Sequence, residues 1–286
     1  MALDQYQEEE EGMSFLDHLE ALRFHILRSV SAILIFTVIA FLAKDIVFGI
    51  IILGPSKVDF LTYRVLCDLG NYMGIPALCI DELPFTIQSR QMTGQFTMHM
   101  TSSLVVGFLV AFPYVFWEIW RFISPGLYDK EKNAARGAVF FVSFLFLSGA
   151  AFGYYVLSPL SINFLANYQL DPTILNEFDI TSYVTTLTML VLASAIMFQL
   201  PVVVYLLSMS GLITSRMLKE YRRHSIVVIL IVSAIITPPD VVSQLLIAMP
   251  ILVLYEVGIV LAKRIEKQKA LKRAKEEQDR GAGDQD

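Results

Sequence analysis

The stretch SYVTTLTMLVLASAIMFQLPVVVYLLSM, Ser182–Met209, runs for 28 residues without an Asp, Glu, Lys or Arg. A helix needs about 20 predominantly apolar residues to cross a ~30 Å hydrocarbon core. This stretch meets that length with residues to spare, and it places the chain in the all-α, polytopic class that folds in lipid. Working outward, similar runs precede it at Leu22–Ala43, Phe96–Trp117 and Gly137–Leu157, and follow it at Ser225–Thr237 and Val241–Ala262. Six spans are therefore predicted. Ile46–Leu53 is a further apolar piece ending at Gly54-Pro55, expected to continue the first helix near the far interface.

Composition agrees with that class. Apolar residues make up 55% of the 286 and charged residues 17%, against roughly 25% charged in an ordinary soluble domain. The net charge of −5 argues against a nucleic-acid partner. The first residues, with Glu8, Glu9, Glu10 and Glu11, lack a basic n-region, so the first span is read as retained rather than as a cleaved signal peptide. Placing both termini in the cytoplasm puts 18 of the 22 Lys and Arg on the inner side, as the positive-inside rule requires. Tyr114, Trp117, Trp120 and Tyr128 would lie in the inner headgroup layer.

The expected organisation is an acidic extension over 1–13, one membrane domain over 14–264 and a charged cytoplasmic tail over 265–286. The tail is read as an extension of the last helix that frays. The outer loops are 54–95, 158–181 and 238–240. The fifth span is short. Starting at Ser225 it covers ~20 Å at 1.5 Å per residue, and starting near Tyr221 somewhat more. Cys67 and Cys79 share the longest outer loop, where they are either two thiols or a disulfide.

Polar groups inside a bilayer are costly, so each is a candidate site. Gln199 lies two residues before Pro201, which should kink the fourth span. Its amide either joins two helices or faces a wet cavity. Glu256 is a functional carboxylate, a snorkelling one or the partner of an inner basic residue. Gln244 and Asp240, one helical turn apart, form a polar cluster with Thr237 at the outer rim. His99 reads as structural. The three middle spans are expected to carry no charge. Phosphate-loop and hydrolase motifs are missing, and the four histidines are dispersed, so neither an enzyme, a cofactor nor a metal site is implied. A six-span small-solute or ion transporter is an alternative. It would need ionisable groups near the midplane, often with internal repeats.

Several segments together resemble the TatC family, the multi-spanning receptor subunit of the twin-arginine protein translocase. They are His18-Leu19-Glu20-Ala21-Leu22-Arg23, Phe122-Ile123-Ser124-Pro125-Gly126-Leu127-Tyr128 with Glu131, Thr237-Pro238-Pro239-Asp240 with Ser243-Gln244, and Tyr255-Glu256-Val257-Gly258. The resemblance implies a concave, glove-like bundle of six helices with the fifth and sixth short. It implies an inner-membrane protein that binds the twin-arginine signal peptides of folded precursors. Glu131, Glu20, Arg23 and Phe122 would form the peptide site. Thr237, Gln244 and Asp240 would contact single-span TatA/TatB-type subunits in a larger, self-associating complex driven by proton-motive force. The family's acidic position on the first helix is Ala21 here, with Glu20 beside it, and its intramembrane Glu of the fourth span is Gln199.

Overall fold

The computed structural model describes residues 15–80, 82–123, 132–171, 173–236 and 241–283. Helix α1 (Phe15–Leu42) leads into a short α2 (Lys44–Ile46) and a π-helical stretch, Val47–Ile52. Helix α3 (Leu61–Met73) and strand β1 (Thr86–Gln88) follow, then α4 (Gly94–Ile123). Helix α5 (Lys132–Phe152) continues through a second π-helical stretch, Gly153–Leu157, into α6 (Ser158–Asn167). Strand β2 (Glu177–Asp179) precedes α7 (Ile180–Met197), α8 (Leu200–Ser210), α9 (Ser215–Glu220), α10 (Arg222–Ile236) and α11 (Val241–Gly283).

Among the described residues, five segments are long and apolar enough to cross a membrane: Glu20–Leu42, Gly94–Phe122, Val139–Asn167, Ile180–Ser210 and Gln244–Leu271. The expected fifth span is α10. Its 15 residues cover ~22 Å, less than the ~30 Å hydrocarbon thickness. It starts after Tyr221, close to the longer of the two starts considered above.

Two spans run past their expected ends. The second span does not end at Trp117 but runs to Ile123, so it carries a charge, Glu118. The helix of the third span does not stop at Leu157 but runs on to Asn167. Pro159 has no N–H to give, yet the helix continues because the carbonyl of Tyr155, four residues back, is taken by the Thr62 hydroxyl. Ser158 Oγ donates to Gly153 O at 2.7 Å. The last helix continues past Arg264, in line with the reading of the tail as its extension. It is 43 residues long, ~64 Å at helical rise, and Ile265 just past that boundary is buried.

The break in the long fourth segment lies where the proline requires it. Pro201 has no N–H to donate to the Met197 carbonyl, and α7 ends at Met197 with Phe198 and Gln199 forming the joint. Helices α5 and α7 cross closely. A Cβ on Gly149 would lie 2.7 Å from Phe198 Cβ, and one on Gly153 would lie 2.8 Å from Val191 Cα. These two glycines are four residues apart, the small-residue spacing that lets membrane helices touch backbone to backbone. Gly107 does the same for α4 against Thr37 of α1.

At the end of the bundle that holds the disulfide, tyrosines close the structure. A helix end leaves its last carbonyls without intrahelical partners. Tyr154 donates to Ile51 O at 2.8 Å and Tyr183 to Ile52 O at 2.9 Å, which satisfies the end of the first π-helical stretch. Tyr63, 1% exposed, donates to both Pro55 O and Pro159 O at 3.0 Å. Burial pushes its phenol well above the usual range. The strands pair in parallel, Thr86 with Glu177, Ile87 with Phe178 and Gln88 with Asp179. Phe85 and Phe178 stack beside them with ring centroids 4.8 Å apart.

Candidate functional site

The opposite end of the bundle gathers the start of α1, the end of α4, the start of α5, the end of α8, helix α9 and the last half of α11. Helix α1 touches the rest chiefly through α4. Only 6% of its apolar window is buried, so its position depends on a few specific contacts. At one end, His99 of α4 stacks on Phe41 with centroids 4.1 Å apart, and its Nε2 lies 3.1 Å from Phe41 O. At the other, Glu118 Oε2 accepts from His25 Nδ1 at 2.5 Å. Tyr114, one turn back on α4, donates to Glu118 Oε1 at 2.9 Å.

Glu118 is the buried carboxylate of the described residues, with 1% of its side chain exposed, while the His25 side chain is 17% exposed. A carboxylate removed from water needs hydrogen bonds to persist, and this one has one on each oxygen. Phe122, one turn further along α4, lies with its ring centroid 6.0 Å from His25. Arg121 lies 5.7 Å over the Trp117 ring. Glu20 and Arg23 of α1 are exposed, and Ala21 is half-buried. The structure thus brings His25, Glu118 and Phe122 together, with Glu20 and Arg23 five and two residues before His25 on α1. Glu131 lies outside the described residues.

A second span ending at Trp117 leaves Glu118 outside it, whereas the helix runs six residues further, to Ile123. The signal was present: a carboxylate between Trp117 and Trp120 in an uninterrupted helical pattern.

The other candidates resolve individually. Gln199 Nε2 donates to Val142 O on α5 at 3.2 Å, while its Oε1 is buried without a partner. Glu256 pairs with Arg222 at 2.7 Å, both side chains about half exposed. Gln244 Nε2 donates to Leu230 O at 3.1 Å, so its amide ties α11 to α10. Thr237 and Asp240 lie outside the described residues. Cys67 and Cys79 are joined in a disulfide across a separation of 12 residues.

The long last helix adds a further constraint at this rim. Glu266 accepts from Ser215 N at 2.6 Å and from Ser215 Oγ at 2.5 Å. Lys269 donates to Ser208 O at 3.2 Å and to Met209 O. One side chain satisfies the start of α9 and the other the end of α8, with the charge signs that helix dipoles favour.

Comparison with known proteins follows this geometry. The family model described as Sec-independent protein translocase protein (TatC) matches residues 17–250. A Sec-independent protein translocase protein TatC of Blattabacterium sp. subsp. Periplaneta americana is 35% identical over 263 residues, covering 91% of this chain and 99% of the relative. One from Halalkalibacterium halodurans is 30% identical over 276 residues, covering 95% of this chain and 99% of the relative. A crystal structure of a twin arginine translocase receptor, TatC, superimposes with a TM-score of 0.65 at 31% identity, covering 87% of this chain and 99% of the other.

Proposed function

The chain belongs to the TatC family, and from that premise we propose that it is the receptor that binds twin-arginine signal peptides at the cytoplasmic face of the translocase. It is a multi-pass inner-membrane protein and a translocase component. The observation that carries the finer reading is the near-complete match to a solved twin-arginine translocase receptor. In this reading the chain spans the bilayer six times over 14–264, with both termini and the tail 265–286 in the cytoplasm. The basic excess on one set of loops supports that orientation.

The peptide's guanidinium groups would meet the rim that carries Glu20, Arg23 and Phe122, and Glu131, nine residues after Phe122 in sequence, would join them. Carboxylates take guanidinium groups bidentately, which lysine cannot reproduce. Single-span TatA/TatB-type subunits would dock near Thr237, Asp240 and Gln244, beside the short α10. A short span thins or distorts the surrounding bilayer, and that suits a surface where helices are recruited. Proton-motive force would drive the assembled complex.

Replacing Glu131 with Ala is expected to weaken binding of a twin-arginine peptide by at least about tenfold, the cost of truncating one partner of a charge pair. Photocrosslinking of a precursor signal peptide to the full-length protein checks this. Unchanged crosslinking in Glu131→Ala would remove that residue from the site. Reporter fusions placing either terminus outside would overturn the topology.

A further inference from the structure

We propose that Glu118 is a second arginine-receiving carboxylate of the peptide site, held in the resting protein by His25 as a placeholder hydrogen-bond partner. This rests on the peptide-receptor reading above and adds a residue and an exchange step to it.

The geometry carries the proposal in three ways. First, Glu118 is buried at the rim that the peptide would meet. It lies five residues before Ile123 on α4, ~7.5 Å along the axis, within reach of a long side chain that keeps its stem in apolar surroundings. Second, its present partners leave it unsaturated. A carboxylate has about four lone-pair sites, and His25 and Tyr114 occupy one on each oxygen. Third, the covering group is weaker than the proposed guest. Imidazole donates through a single nitrogen here, whereas guanidinium presents a planar fork that is always charged.

The other charged groups around the site do not pre-empt it. Arg28 on α1 faces Glu118 and Tyr114 but is exposed. Arg121 on α4 faces Tyr114 and lies over Trp117. Exchange would release His25 toward Phe122 and the headgroup layer. Helix α1 would stay attached through the Gly107–Thr37 crossing and the His99–Phe41 contact. No covalent bond is made or broken in the step, and one hydrogen-bond donor replaces another on the same carboxylate.

A purely structural latch and a placeholder give opposite results when His25 is changed. In His25→Arg a permanent guanidinium would occupy Glu118, strengthening the α1–α4 contact while blocking the site. In His25→Gln the placeholder would be neutral and easily displaced. The experiment measures fluorescence anisotropy of a synthetic twin-arginine signal peptide on the full-length protein in detergent. Thermal unfolding of each variant is followed alongside.

The expected result is a loss of affinity of at least about tenfold in His25→Arg, at a melting temperature equal to or above wild type. His25→Gln should bind as tightly as wild type or more tightly, and Glu118→Gln should lose affinity while Glu118→Asp retains part of it. Wild-type affinity in folded His25→Arg, or in folded Glu118→Gln, would overturn the exchange. If those variants bind normally while Glu131→Ala does not, the receptor reading stands and this step alone falls. If the wild-type protein does not bind the peptide, both fall together.

Discussion

Asp179 shows how one side chain can join elements that are far apart in sequence. It caps the start of α7 through Thr181 N at 2.8 Å and accepts from Arg90 N at 3.0 Å. The Thr181 amide first, then the Arg90 amide, hold its carboxyl below the usual aspartate range. A carboxylate whose folded pKa is depressed contributes stability above its unfolded value, ~3.9 for Asp, and loses it as pH falls through the folded value. The disulfide-bearing end is therefore expected to loosen below about pH 4. In Asp179→Ala that acid-dependent component should be gone while stability above pH 5 is lower. Hydrogen exchange of the β1–β2 amides across pH checks both parts. At Gln199 the same bookkeeping runs differently: one amide hydrogen bond to Val142 O is offset by an unpartnered buried Oε1. Intramembrane hydrogen bonds average only ~0.6 kcal/mol, so this residue ties α8 to α5 weakly.

At the scale of the element, the crossing of α5 on α7 depends on the absence of two side chains. Leucine at Gly153 would have to displace the Val191 backbone and Leu190 O, neither of which can swing aside. Overpacking of a well-filled contact costs ~1–3 kcal/mol and more when backbone must move. Gly153→Leu is expected to lower the midpoint of thermal unfolding in detergent by several degrees. A conservative Gly153→Ala change should fall between it and wild type. Wild-type stability in Gly153→Leu would mean that the two helices are not held by close approach. The glycine pair was readable in the sequence as Gly149-Ala150-Ala151-Phe152-Gly153. What the sequence did not reveal was the partner, because small residues announce a crossing without naming the helix that fills it.

For the whole molecule, the last helix is the element that ties α8, α9 and α10 together. It passes α10, where Glu256 meets Arg222 and Tyr255 donates to Leu218 O at 2.6 Å. It then caps α9 with Glu266 and α8 with Lys269. Hydrogen bonds to charged groups are worth ~1.5–3 kcal/mol each. Truncation after Arg264 is expected to destabilise the protein by about 2–4 kcal/mol. Thermal unfolding of the truncated and full-length proteins in the same detergent checks it, and equal midpoints would show that the tail does not dock.

The sequence by itself determined the membrane class, the main apolar spans, the short α10 and the break before Pro201. Transfer of a helix into lipid is a sum over neighbouring residues, and a helix satisfies its backbone internally, so both are legible from local runs. Tertiary structure alone decided the pairing of His25 with Glu118, the ladder joining Thr86 to Glu177, the tyrosines on the π-helical carbonyls and the docking of the tail on α8 and α9. Each needs groups tens of residues apart to meet at about 3 Å. A local pattern says that a polar group must find a partner, and only the folded chain says which.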